Sequence, residues 1–94
     1  MGFDVISDGE TAEAAFSGGD GSSLKQAVVI TGATGEKTGV RAEYVWLHQH
    51  YPGYQVKDQV LRHERDKYYN EMLIVTSDEK SRKVFFDITS FLGK

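Results

Sequence analysis

The chain of 94 residues contains no cysteine. That excludes a disulfide framework, a thiolate metal site and a cysteine nucleophile, and it leaves the redox compartment open. No uninterrupted apolar run exceeds four residues, as in Met72 to Val75, whereas a membrane-spanning helix needs roughly 20. Met1 to Glu13 shows no basic region followed by an apolar stretch, so no signal peptide is expected in this chain. Proline occurs once and tryptophan once, so Pro52 and Trp46 are singular features. An excess of basic charge is also missing: the net charge is −3. A duplex nucleic-acid binder usually presents a clear basic face, which makes nucleic acid an unfavoured partner.

What is present fits one soluble domain over residues 1–94, with a loop-rich segment at 1–25 and an α+β core at 26–94. A chain this short buries roughly 60–65% of its unfolded surface, enough for one modest core. Charge is uneven. Acidic residues dominate the first part through Asp4, Asp8, Glu10, Glu13, Asp20 and Glu36. Basic residues gather later at Arg62, Arg65 and Lys67 and at Lys80, Arg82 and Lys83. Glu64, Asp66, Asp78 and Glu79 are interleaved with them, which reads as two solvated hairpin tips rather than a phosphate-binding patch.

Phe3 to Ile6 suits a short edge strand. The glycine- and serine-rich stretch 7–23 reads as irregular loop, with Phe16 and Leu24 as apolar anchors and Asp20 to Ser23 capping a single helical turn. Ala27 to Thr31 is short, β-branched and bounded by Gly32, the signature of a strand. Thr38 is the expected N-cap of a helix running to about Tyr51, with Val40, Tyr44, Leu47 and Tyr51 as its buried stripe. Tyr51-Pro52-Gly53-Tyr54 suits a type II turn, with glycine supplying the positive φ at its third position. Three strands follow. The first runs through Tyr54, Val56 and Val60 and is expected to bulge near Gln59 to Leu61. The others are Tyr68 to Thr76, and the alternating segment around Val84, Phe86 and Ile88. Met72 to Val75 is apolar on both faces, as in a strand covered on both sides. Phe91-Leu92 is expected to tuck the C-terminus against the body. The predicted order is β-α-β-β-β, an antiparallel meander with one helix packed across it.

Several motifs suggest chemistry. Strand, Thr31-Gly32-Ala33-Thr34-Gly35 and helix resemble a dinucleotide-binding start, where glycines let backbone N–H groups approach a pyrophosphate. The third glycine, Gly39, falls one position late, and a meander replaces the second βαβ unit; no cofactor is expected. Glu36 separates Gly35 from Lys37, so no P-loop is formed either; a weak anion site at this helix start is the minor alternative. His48 and His50 stand at i and i+2 on a helix and point to opposite sides, so they do not share a metal ion. Ser22 and Ser23 lack a nucleophile elbow. Tyr68, Tyr69 and Phe85 suit cross-strand packing, or a stacking platform for single-stranded nucleic acid.

Glu43, Trp46 and His50 stand at i, i+3 and i+7 and share one flank of the helix, expected beside the buried stripe. Histidine titrates near neutral pH, and a carboxylate on the same flank can tune it. Tryptophan offers an anchoring surface. The alternative is structural: Trp46 packs beneath the N-terminal segment and His50 caps the helix end.

Gly19-Asp20-Gly21-Ser22-Ser23, Ala27 to Ile30, Ala42-Glu43-Tyr44 with Trp46-Leu47, His50 to Tyr54 and Phe86 to Phe91 together resemble small bacterial proteins of unassigned function. That resemblance carries no activity. Over residues 40–89 the helix, Tyr-Pro-Gly turn and three strands are similar in layout to PepSY-type and cystatin-like modules, which implies protein binding and, in part, peptidase inhibition. The cystatin Gln-x-Val-x-Gly signature is absent at Gln55-Val56-Lys57-Asp58. The expected function is a non-enzymatic protein-binding module using Trp46, His50 and Glu43. A small hydrolase or isomerase using Glu43 and His50, and a weak single-strand nucleic-acid binder, are the alternatives. Partner identity and oligomeric state are not encoded in any motif.

Overall fold

A computed structural model describes residues 14–94. The segment Phe3 to Ile6, expected as a strand, lies outside them. The described chain is α+β: strands β1 (Ala15–Gly18) and β2 (Val28–Thr31), helix α1 (Glu36–His50), then strands β3 (Gln55–Glu64), β4 (Lys67–Val75) and β5 (Ser81–Asp87). They form one five-stranded sheet in the order β1-β2-β5-β4-β3, with α1 across one face.

The expected antiparallel meander requires correction. β3, β4 and β5 do pair antiparallel in sequence, but β5 then pairs parallel with β2. The physical reason is the helix. Crossing over the sheet from β2, α1 sets β3 down at the far edge running in the same direction as β2, and the two antiparallel turns that follow bring β5 back beside β2 parallel to it. The loop-rich segment needs correction too. Ala15 to Gly18 pairs antiparallel with β2. Gly18 turns out of this strand at φ +82°, and an added Cβ there would meet Ala27 O at 2.5 Å. The residues after it form turns rather than a helical turn: the Asp20 carboxylate accepts the Ser22 N–H at 3.0 Å, and Ser23 O accepts the Gln26 N–H at 3.1 Å.

The helix begins earlier than expected. Gly35 is its N-cap and Thr38 stands in the first turn, its hydroxyl accepting from Gly35 N–H (3.1 Å) and donating to Gly35 O (3.0 Å). The buried stripe is also rotated: Gly39, Ala42, Glu43, Trp46 and Leu47 are buried, whereas Val40 is exposed and Tyr44 and Tyr51 are half-buried. The rotation is set by size. A Cβ at Gly39 would lie 2.3 Å from the Phe91 ring, so this glycine lets the buried C-terminal phenylalanine press against the helix backbone. Gly39 thus has a packing role.

Pro52-Gly53 closes the helix as expected, with Tyr54 N–H donating to Tyr51 O at 3.0 Å and Gly53 at φ +87°. The irregularity in β3 falls between Val56 and Asp58, closer to the turn than predicted. The core lies between α1 and the sheet, where Val28, Ile30, Met72, Ile74, Val84, Phe86 and Phe91 are buried with Trp46 and Leu47. On the far face of β4, Leu73 and Val75 are half-buried.

Candidate functional site

Trp46 and His50 are one helical turn apart, and the structure brings them together. Their rings stack at 3.9 Å and 14°, and His50 Nδ1 lies 3.0 Å from Trp46 O. Beneath this stack the indole meets Phe86 edge-on at 5.5 Å. Trp46 is only 5% exposed, while His50 is exposed. The histidine ring therefore roofs part of a core tryptophan.

The stack faces β1. Phe16, Gly18, Val28, Trp46 and His50 border a cleft of about 270 Å³ between this edge strand and the C-terminal end of the helix. Phe16 is 37% exposed. It pairs with Ile30, whose side chain belongs to the core, so Phe16 projects to the helix side of the sheet. The backbone also contributes. Gly19 N–H donates to Ala27 O at 3.1 Å. Antiparallel alternation then turns the N–H and C=O of Phe16 away from β2, toward the open edge. Among the described residues no strand pairs with the outer side of this short edge, which borders an aromatic-lined cleft. Phe16 was legible only as an apolar anchor. The alternation Ala15-Phe16-Ser17-Gly18 was its strand signal, hidden by the surrounding glycines.

Glu43 is placed elsewhere. It is 1% exposed, and Asn70 Nδ2 donates to its Oε1 at 2.7 Å. Asn70 also donates to Gln59 Oε1 at 3.0 Å, and Gln59 Nε2 donates to the Tyr44 hydroxyl at 3.3 Å. A polar chain therefore links the helix to β3 and β4. Burial pushes the Glu43 carboxyl up to about 7, and the Asn70 hydrogen bond opposes that rise. Glu43 and His50 engage different partners, so the structure does not assemble them into one acid–base pair. Asn70 and Gln59 were not singled out from sequence. Their signal was faint: polar residues at positions of β3 and β4 that alternate toward the helix.

The remaining motifs resolve into local structure. Tyr68 stacks on His63 at 4.1 Å. It stands one position out of alternation with Tyr69 and Glu71, and Glu71 is opposite Phe85, so Tyr68 and Phe85 occupy opposite sheet faces. Basic residues are engaged: Arg62 with Glu71 at 2.7 Å and Glu64 at 3.3 Å, Lys83 with Glu71 at 3.1 Å, and Lys67 with Asp87 at 3.6 Å. Arg82 lies 5.1 Å over the Tyr51 ring. The helix start contacts the C-terminus, Glu36 Oε2 accepting the Gly93 N–H. Among the described residues, no group of three or more histidine or acidic side chains is placed to hold a metal ion, and no helix is long and apolar enough to cross a membrane. Comparison with protein-family models, curated proteins and solved structures finds no match.

Proposed function

We propose that the chain is a non-enzymatic protein-binding module that takes an extended segment of a partner protein as an added strand on β1. The observation that carries this reading is the adjacency of the outward backbone of Phe16 to the Phe16–Trp46–His50 cleft. Strand addition draws affinity from main-chain hydrogen bonds and selectivity from pockets that accept alternate side chains. Here the edge supplies the hydrogen bonds. The cleft, floored by the indole and walled by Phe16 and the imidazole, suits one apolar or aromatic side chain. Trp46 acts as a rigid floor rather than a protruding anchor, because it is already fixed against Phe86. The protein-binding role is the one implied by the PepSY-type layout, with β1 as the recognition edge.

The test is a peptide selection from a random library on the full chain, followed by titration of the selected peptide into isotopically labelled protein. Amide shifts concentrated at residues 14–19, and loss of binding in Phe16→Pro, which removes the outward donor, support the reading. Phe16→Ala should weaken binding at least 10-fold by opening the cleft wall. Peptides that leave residues 14–19 unperturbed, or that bind Phe16→Pro as tightly as wild type, overturn it.

A further inference from the structure

The opposite edge of the sheet differs in kind. β3 is ten residues long against four for β1, and among the described residues no strand pairs with its outer side; there the Asp58 carboxylate accepts the Gln59 N–H at 2.8 Å. Val60 is 45% exposed and Leu61 59% exposed, and as neighbours they point to opposite faces. Both faces of the strand are therefore bare at its midpoint. A long edge with central apolar residues is a template for pairing.

The backbone states which groups are offered. Glu64 and Lys67 flank the two-residue turn Arg65-Asp66 and oppose each other. Such a pair exchanges hydrogen bonds, and alternation along the ladder gives Arg62 and Val60 the same inward role. Gln59, Leu61 and His63 then direct their N–H and C=O groups outward.

We propose that β3 pairs antiparallel with β3 of a second copy of this chain, about a two-fold axis at Val60, joining the two sheets into one. Charge and ladder length together select this register. With Val60 opposite Val60, Asp58 of each copy stands opposite Arg62 of the other; as Asp58 turns from the Gln59 N–H to that guanidinium, the outward-facing Gln59 and Leu61 form the hydrogen-bonded pairs. An axis at His63 would also pair opposite charges, Arg62 with Glu64, but it would set Leu61 against the turn residue Arg65 and cut the ladder short. An axis at Leu61 would instead set Asp58 opposite Glu64. An axis at Arg62 or Asp58 would set like charges directly against themselves, which is destabilising. An axis at Gln59 would oppose Asp58 to Val60 and leave no charge pair.

The chosen register extends a network already present. Arg62 binds Glu71, which binds Lys83, and Asp58 of the second copy enters from the same sheet face. The two-fold axis stands perpendicular to the sheet, so both helices lie on one side. Their flanks bearing Val40 and Tyr44, which border an open depression of about 540 Å³, face each other across the seam above Leu61. The irregularity between Val56 and Asp58 ends the ladder and keeps the pairing short. The dimer is accordingly expected at roughly micromolar affinity, in the range of small interfaces.

Sedimentation equilibrium on the full chain tests the register. Wild type should show a concentration-dependent dimer. Asp58→Arg and Arg62→Asp should each weaken it at least 10-fold, by setting like charges opposite each other. An equimolar mixture of the two variants should recover dimer, because each then supplies the charges the other lacks. Val60→Lys, at an exposed position, gives an independent route: it sets two ammonium groups against each other and should also abolish the dimer. A wild type that stays monomeric to about 1 mM overturns the proposal. So does a dimer that persists unchanged in Asp58→Arg and Val60→Lys, or failure of the folded single-charge variants to associate when mixed.

Discussion

The Glu43 carboxylate accepts a 2.7 Å hydrogen bond from the Asn70 side chain at a position that is 1% exposed. One hydrogen bond does not replace a full hydration shell, so burial dominates and the carboxyl rises from its ordinary 4.5 to about 7. The sign of the linkage follows. Between those two values the folded chain holds a proton that the unfolded chain has released, so stability falls as pH rises. The contribution is complete below about 4.5 and lost above about 7. Its size is on the order of 3 kcal/mol, from about 1.4 kcal/mol per pH decade. Glu43→Gln retains an acceptor for Asn70 and removes the titration. Urea unfolding should show it more stable than wild type at pH 8 by up to about 3 kcal/mol, and close to wild type at pH 4. Equal differences at both pH values would contradict the assignment.

Asn70→Ala tests the other half of the pair. It removes the donor and leaves the carboxylate without a partner, at a cost of roughly 1–3 kcal/mol for an unsatisfied buried group. The penalty should be larger at pH 8, where Glu43 is ionised, than at pH 5. Carbon NMR of the Glu43 carboxyl should place its titration above the wild-type midpoint.

The elements with strong local signals were legible. Ala27 to Thr31 announced β2 by β-branching, Pro52-Gly53 marked the helix stop, and period-two patterning gave β4 and β5. Other features depended on contacts distant in sequence. β1 exists because Ala15 to Gly18 meets β2, and its glycine-rich setting reads locally as loop. The parallel β2·β5 pair requires knowing that α1 carries the chain to the far edge of the sheet. The helix stripe was misread because Gly39 and Glu43 do not look like buried residues. Gly39 is buried against Phe91, more than 50 positions away, and Glu43 is buried against Asn70. Of the candidate site, Trp46 and His50 were legible as helical neighbours, whereas Phe16 joined them only through the sheet.

Gly39→Ala sets two effects against each other. Alanine in a helix interior gains about 1 kcal/mol over glycine. The added methyl would, however, lie 2.3–2.5 Å from three atoms of the Phe91 ring. Overpacking of this kind costs roughly 1–3 kcal/mol, and the ring has little room to retreat because Phe91 is fully buried. The variant should therefore be less stable than wild type. Pairing it with Phe91→Leu should recover part of the loss in thermal denaturation. A stabilised Gly39→Ala would mean that the helix and the C-terminal segment separate easily.

His50→Ala should report on the roof over Trp46. The chain has a single tryptophan, so its fluorescence reads this site alone. Loss of the stacked ring costs about 0.5–1.5 kcal/mol and leaves the indole open to solvent from the cleft. Acrylamide quenching should increase and the emission should shift to longer wavelength, with the circular dichroism unchanged. Trp46→Ala behaves differently: it removes a core ring and should cost about 3–5 kcal/mol. That is why binding is better probed at Phe16.

Glu71 supplies the counterpart to Glu43. Lys83 and Arg62 hold its carboxyl below the usual glutamate range, through contacts of 3.1 and 2.7 Å. The sign is opposite. This stabilisation is present above the ordinary 4.5 and is lost as pH falls through the depressed value. Lys83 and Arg62 are themselves substantially exposed, so solvent screens the pair interactions, and Glu71→Gln should cost only about 1 kcal/mol at pH 7. The cost should shrink in acid and in high salt. Denaturation of the two glutamine variants in parallel separates the contributions. Glu43→Gln should lift stability on the neutral-to-alkaline side, and Glu71→Gln should lower it there while leaving the acid limb nearly unchanged. The same pH response in both variants would show that burial, rather than the basic partners, also governs Glu71.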